Sequence, residues 1–211
     1  MTKPPATPQS EATVFVVDDD DALRKSLCRM LKSAGLEFEA FPSAQAFLDD
    51  HDPARPGCLV LDVRMPGISG LELQEKLIRI GHQIPVIMIS AHADVEMTVR
   101  AMKRGAVDVL KKPYRGKALL VRVRQALALD ARNRRAAAAR AQVAARLAVL
   151  TPREREVMAL MVAGRAPKQI AFDLGLSRRT IDVYRGHIMM KLQANSVVDL
   201  VQINLLCCDD K

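Results

Sequence analysis

Five side chains that can do chemistry stand at the ends of short, β-branched runs. Asp18 and Asp19 follow the first run, Asp62 ends the third, Ser90 ends the fourth, and Lys112 follows the fifth, just ahead of Pro113. Carboxylates gathered in one place repel and raise each other's pKa unless a cation lies among them. Oxygen-only ligands suit a hard cation, and few carboxylates with partial hydration favour Mg²⁺ over Ca²⁺. A carboxylate flanked by Mg²⁺, a lysine and a hydroxyl is equipped to become an aspartyl-phosphate, the cations neutralising the phosphoryl oxygens. Any one of these acids alone reads as a solvated turn or a helix cap. Repeated at successive strand ends, they point to a site.

The elements that must position them alternate. The spacing predicts strands at Thr13–Asp18, Glu37–Phe41, Cys58–Asp62, Pro85–Ser90 and Asp108–Leu110. Between them Leu23, Leu27, Met30 and Leu31 have helical spacing, as do Leu73, Leu77 and Ile80, and Val95, Val99 and Met102. Gly35, Gly81 and Gly105 fall where such helices should stop. Strict alternation implies an α/β fold, a five-stranded parallel sheet covered on both faces in the flavodoxin-like arrangement. Ligands of such sheets bind beyond the carboxyl ends of the strands, where these five side chains would converge.

From Lys117 the pattern becomes one long helix, with Leu120, Val123 and Leu127 on an apolar face and Ala and Arg dominating through Arg146. Around Asn133–Arg140 large apolar residues are too few for a firm coiled-coil seam. A solvated linker and a weak dimerising helix are both open readings. At Leu150 a third pattern begins. Thr151-Pro152-Arg153-Glu154 has the cap, N1 proline and N3 glutamate of a helix start. Four short helices are expected, at about 152–163, 168–174, 178–192 and 196–206. Gly175-Leu176-Ser177 joins two of them as a helix-turn-helix, with Ser177 capping the second.

Composition narrows the function classes. The chain has 211 residues and 49% hydrophobic content, which suits one or two globular domains. No apolar stretch approaches the ~18 residues of a membrane span. The opening MTKPPATPQSEA lacks a signal-peptide core, so a cytoplasmic protein is expected. Four cysteines make no disulfide framework and have no zinc spacing; Cys28 and Cys58 read as core, and Cys207–Cys208 lie beside a charged tail. The net charge of +8 is not spread evenly: residues 1–115 carry −1, residues 116–150 carry +7 and residues 151–211 carry +2. That is a basic linker, not a nucleic-acid surface.

V-V-D-D-D-D, L-V-L-D-V-R-M-P-G-I-S-G, V-I-M-I-S-A-H and V-L-K-K-P together resemble the receiver domain of two-component response regulators over roughly residues 12–128. The resemblance implies that Asp62 accepts a phosphoryl group from a sensor histidine kinase. It implies that Asp19 and the Arg64 carbonyl hold Mg²⁺ directly, Asp18 through water, and that Ser90 and Lys112 bind phosphoryl oxygens. One position departs: Val109 stands where the family often has the Tyr or Phe that swings inward on activation, and a valine cannot report burial the way a ring does. A D-x-D phosphatase or phosphotransferase using Asp18 as nucleophile, with Asp20 as the second acid, is the alternative from another class. It leaves Asp62 and the MPGISG loop unexplained.

The stretch LTPREREVMALMVAGRAPKQIAFDLGLSRRTIDVYRGHIMMKL resembles the helix-turn-helix of LuxR, NarL and FixJ regulators, over about residues 150–206. Pro167 and Tyr184 depart from the Asn and His common there. At about 100° per residue, Ile181, Tyr184, Ile188 and Leu192 share the buried face of the second helix of the motif. Arg179, Asp182, Val183, Gly186 and Met190 lie opposite, where a recognition helix meets base edges. Thr180 is one of the motif's matching positions and joins the DNA-binding set. Gly186 costs ~1 kcal/mol relative to Ala within a helix; close backbone approach to DNA and chance are both open explanations. Lys168, Arg178 and Arg165 are placed for phosphates, and Arg185 for either a phosphate or a local salt bridge.

The domain plan is a tail at 1–11, the receiver at 12–128, a linker helix at 129–149, the DNA-binding domain at 150–206 and a tail at 207–211. His51, His82 and His187 read as ordinary surface or packing residues, and Met65 as packing. His92 is either a loop residue or one that tunes water access to the site. The resemblance, nearest to FixJ-type regulators, implies a transcriptional regulator and not an enzyme. It implies promoter DNA, RNA polymerase and, on phosphorylation, a second copy of the chain as partners.

Overall fold

The computed structural model describes residues 12–91 and 94–208, and of 206–208 the backbone only. His92, the tails at 1–11 and 209–211, and the side chains of Cys207 and Cys208 lie outside the described residues. The chain divides into two compact units, 1–134 and 135–211.

The first unit runs β1 (Thr13–Val17), α1 (Asp21–Ser33), β2 (Glu37–Phe41), α2 (Ala44–Asp50), β3 (Gly57–Asp62), α3 (Gly70–Arg79), β4 (Val86–Ser90), α4 (Val95–Lys103), β5 (Asp108–Lys111) and then the long α5 (Gly116–Ala148). All strand pairs are parallel, in the order β2-β1-β3-β4-β5. The expected doubly wound sheet is therefore present. Because the sheet is covered on both faces, β1, β3 and β4 are buried throughout. Phe15, Val17, Leu59, Leu61 and Met88 pack toward Phe47, Leu73, Leu77 and Ala101, with Met65 beside them. Val14, Val16, Val60, Ile87 and Ile89, one step out of phase, pack toward Leu27, Leu31, Leu119 and Val123.

Strand ends differ from the sequence expectation by a residue. The first strand stops at Val17 because Asp18 turns inward, its Oδ1 accepting from the Asp20 amide at 2.9 Å. The fourth begins at Val86, since Pro85 has no N–H to give the ladder; its carbonyl still accepts from Leu59 at 2.9 Å. The fifth extends to Lys111. Cys58 is fully buried, whereas Cys28, expected in the core, is only half-buried.

The long helix serves both units. Asp130 and Arg134, assigned by the sequence to the linker, are bound to the loop ahead of β3. The buried Asp130 carboxylate accepts from the Gly57 amide and from Arg134 Nε, both at 2.9 Å. Arg134 also donates to the carbonyls of Pro53, Ala54 and Arg55 at 3.3, 2.8 and 2.6 Å.

His51 and His82 are packing residues, the second of the two roles expected of them. Their rings stack with centroids 5.0 Å apart, and their Nε2 atoms share a 2.8 Å hydrogen bond. His51 also stacks on Phe47 and meets Phe15 edge-on. Burial, with help from the neighbouring ring and Arg55, pushes His51 down to about 4; burial and Arg134 push His82 down as well. Both are neutral in the native protein at pH values where the unfolded chain, with histidine near ~6.5, already takes up protons. The pair's contribution to stability is therefore full above about pH 6.5 and is lost as pH falls toward about 4. Melting curves across that window should show a steeper fall in Tm for wild type than for His51→Phe, which keeps the stack without a titrating ring. Equal slopes would remove the pair as the cause.

The second unit holds α6 (Pro152–Val162), α7 (Pro167–Asp173), α8 (Arg178–Leu192) and α9 (Val197–Cys208). Val143 and Leu147 at the end of the long helix, and Leu150 just beyond it, pack with Val157, Met161, Ile170, Ile181, Ile188 and Leu200.

Candidate functional sites

Parallel strands deliver the five chemistry-bearing residues to one rim. Asp18 lies one residue beyond β1, Asp62 and Ser90 are the last residues of β3 and β4, and Lys112 follows β5. Lys112 Nζ bridges two of the acids, 3.1 Å from Asp18 Oδ2 and 3.3 Å from Asp62 Oδ2. Its own backbone amide donates to the Ser90 carbonyl at 2.8 Å, which ties the ends of β4 and β5 together. Carboxylate oxygens of Asp18, Asp19 and Asp62 lie within 4.8 Å of one another, with Asp19 exposed and the other two buried. Such an oxygen-only set fits a hard divalent cation. Arg64 sits two residues past Asp62, exposed in the following loop.

Burial pushes the Asp62 carboxyl up, with Asp18 adding to the rise, while Lys112 pulls it down. Tyr114 is raised to about 12 by burial and the two acids, so its phenol stays protonated. Neighbouring groups divide their work clearly. Asp20 caps α1 by accepting from the amides of Ala22 and Leu23 at 2.9 and 3.1 Å. Asp21 pairs with Arg24 and Lys25. The D-x-D alternative needs Asp20 as a free second acid, and the helix cap already claims it.

Two contributors were not evident from spacing. Arg24 donates to the Asp18 carbonyl at 2.7 Å, holding the turn that aims this acid inward. Gly70 opens α3 so close to Asp62 that a Cβ there would lie 2.3 Å from the Asp62 carbonyl oxygen. Only the absence of a side chain lets α3 begin beside the site. Val109, standing in place of an aromatic ring, is half-buried and packs against the core cluster.

In the second unit the helix-turn-helix forms from α7 and α8. The turn passes through Gly175 at φ +63°, a left-handed conformation suited to glycine. Ser177 Oγ accepts from the Thr180 amide at 3.1 Å. Ile181, Ile188 and Leu192 of α8 are fully buried, with Tyr184 packed beside them. On the other side Arg178, Arg179, Asp182, Val183, Gly186 and Met190 are exposed, as are Lys168 and Arg165 on and before α7. Thr180 and Arg185 are half-buried. An added Cβ at Gly186 would meet nothing within 4 Å. No packing within this unit demands a glycine there.

Two further contacts hold α8 at its C-terminal end. Glu154 closes the capping box with Thr151 and accepts from Lys191 Nζ at 2.7 Å, which holds its carboxyl down at about 2. Arg146 donates to the Leu192 carbonyl at the same, C-terminal end of α8. The cap was legible from Thr-Pro-x-Glu; its partner 37 residues away was not.

Residues 14–124 match the response regulator receiver domain family, and residues 148–204 the LuxR family of bacterial regulatory proteins. The chain belongs to the response regulators. Among similar proteins, the transcriptional regulatory protein FixJ of Azorhizobium caulinodans is 48% identical to this regulator, over 92% of each chain. Nodulation protein W of Bradyrhizobium diazoefficiens is 46% identical over 92% of this chain and 86% of its own. The solved response regulator StyR matches with a TM-score of 0.83 and 46% identity, covering 92% of this regulator and 98% of StyR. This response regulator thus pairs a receiver with a LuxR-type DNA-binding domain, and among its described residues no helix is long and apolar enough to cross a membrane.

Proposed function

We propose that Asp62 of this regulator takes a phosphoryl group from the phosphohistidine of a sensor histidine kinase, and that the phosphorylated chain binds promoter DNA as a dimer in the cytoplasm. The observation that carries the reading is Lys112 Nζ set between Asp18 and Asp62 with Asp19 alongside. Asp62 attacks phosphorus, the P–N bond breaks, and the electron pair leaves with the imidazole, which is then protonated. Lys112 faces the oxygens that gain charge, and the Ser90 hydroxyl donates to one of them. Asp18, Asp19, Asp62 and the Arg64 carbonyl would hold Mg²⁺, which when bound supplies charge neutralisation. Residues 12–128 act as receiver, 129–149 as connecting helix and 150–206 as output domain, which engages RNA polymerase once on DNA.

The added charge of about −1.5 to −2 draws Ser90 and its loop toward the phosphoryl oxygens, repositioning α4 and β5. With Val109 in place of a ring, the switch runs through Ser90 and the backbone that Lys112 shares with it. Beryllofluoride, a phosphoryl mimic, should convert a mostly monomeric protein to a dimer in sedimentation, and Ser90→Ala should dimerise poorly while remaining phosphorylatable. A wild type already dimeric without the mimic, or a normally dimerising Ser90→Ala, overturns this route.

DNA contacts divide into two kinds. Arg179, Thr180, Asp182, Val183 and Gly186 read base edges, while Lys168 and Arg178 hold phosphates. Lys168→Ala or Arg178→Ala should weaken binding to all sequences and lower the salt slope by about 1. Substitution at Asp182, Val183 or Gly186 should change which operator is preferred. Binding titrations against a randomised operator pool at several salt concentrations check both, and a Lys168→Ala protein with altered base preference contradicts the assignment.

A further inference from the structure

The outer face of α8 has a composition that narrows what it can read. At about 100° per residue, the line directly opposite the buried Ile181, Ile188 and Leu192 runs through Arg179, Val183, Gly186 and Met190. All four are exposed, Val183 by 50% and Met190 by 69%. Asp182 and His187 stand exposed on the two flanks. The line itself carries one charge, at Arg179, and no hydrogen-bonding side chain from Val183 through Met190. Glycine inside a helix is unfavourable relative to alanine, yet a Cβ at Gly186 would meet nothing within 4 Å. The space over Gly186 is open within the protein, so a surface from outside can come against the helix backbone there.

Base edges in the major groove present donors and acceptors; the C5 methyl of thymine is their apolar group. A valine or methionine pressed on a guanine or adenine edge would strand buried polar groups. Against a thymine methyl it buries apolar surface on both sides. We propose that α8 reads thymine methyl groups: Val183 and Met190 each pack on one, the missing side chain at Gly186 lets the groove floor close on the helix between them, and Arg179 holds a guanine at the near end. Arginine matches the two acceptors of a guanine edge. At ~1.5 Å of rise per residue, Val183 lies ~6 Å beyond Arg179 and Met190 ~10 Å further, about two and three base-pair steps of ~3.4 Å. Each half-site should therefore hold a guanine and, about two and five steps away, A·T pairs whose methyls face the helix. The long, unbranched side chain of methionine suits the outer position, where the groove curves away from a straight helix. These contacts rest on α8 entering the groove, as proposed above, and name the chemical group it selects there.

The probe is a duplex selected from a randomised pool by the beryllofluoride-bound full-length protein. It is compared with a synthetic copy carrying uracil for thymine in one half-site; uracil lacks only the methyl and pairs alike. Wild type should bind the uracil copy about 4-fold more weakly for each methyl contacted, or ~15-fold for two. Unselected duplexes, held through phosphates, should change by less than ~2-fold on the same exchange. Val183→Ala and Met190→Ala should each weaken the thymine duplex and cut the uracil penalty to about 4-fold. Gly186→Ala should keep or raise Tm, since the new methyl meets nothing in the fold. It should nonetheless lose as much affinity for the selected duplex as one mismatched pair costs, ~10-fold. A uracil copy bound as tightly as the thymine duplex, a penalty left whole in both alanine variants, or Gly186→Ala binding like wild type overturns the methyl contacts and leaves DNA binding by α8 in place. Failure to enrich any sequence from the pool overturns the assignment of α8 as reader, and the methyl contacts with it.

Discussion

Asp62→Asn should reduce phosphorylation by a phosphohistidine donor or a small phosphodonor to background. Asparagine keeps the size of the side chain and can still face Lys112, but an amide oxygen is not the nucleophile that a carboxylate is. Acid-labile, hydroxylamine-sensitive label should vanish with the fold intact. The two other acids offer a sharp contrast. Asp18 already accepts from Lys112 and from the Asp20 amide, so if it were the acceptor instead, labelling would survive in Asp62→Asn. Undiminished label in that variant sinks the assignment.

The second large effect concerns the cation. Mg²⁺ should bind before any phosphoryl group arrives, and Asp19→Ala should weaken it far more than Asp20→Ala or Asp21→Ala. Losing even an outer-sphere partner of a bound metal typically costs ~10–100-fold in affinity, so a lost carboxylate ligand should cost at least that much. Asp20 and Asp21, although adjacent in sequence, are engaged with α1: one caps its amides, the other pairs with Arg24 and Lys25. Substituting them should lower helix stability, by ~1 kcal/mol for the cap, and leave metal affinity nearly unchanged. Titration of the four proteins with Mg²⁺, read by Tm and by ¹H–¹⁵N shifts, separates the roles. Equal losses at Asp19, Asp20 and Asp21 would show that the pocket is elsewhere.

Much of this was legible because a doubly wound sheet converts local pattern into long-range geometry. Once alternating strands and helices are recognised, residues as far apart as Asp18 and Lys112 must share a rim. The buried face of α8 was legible for the same kind of reason: period alone puts Ile181, Ile188 and Leu192 together. Contacts whose partners are set by tertiary packing were not legible. Nothing in the spacing of His51 and His82 says that α2 and α3 end side by side. Glu154 gave away its cap and hid its ion pair with Lys191. Gly70 reads only as part of a motif, since close approach of two backbones leaves no periodic trace.

The anchoring of Asp130 and Arg134 bears on how such a regulator can be taken apart and recombined. A receiver excised after residue 128 would lose the carboxylate that the Gly57 amide donates to and the guanidinium that gathers three loop carbonyls. Gly57 itself cannot take a side chain, since even a methyl group there would lie 2.0 Å from the Thr13 carbonyl oxygen. A chimera joined at that point would carry a frayed edge beside β1 and β3 whatever output followed it. Splices placed after Arg134 and before Val143, in the stretch of α5 between the last receiver anchor and the first side chain buried with the output helices, leave both modules whole. The junction for exchanging outputs thus lies inside the helix, several residues beyond where the receiver's sequence motif ends.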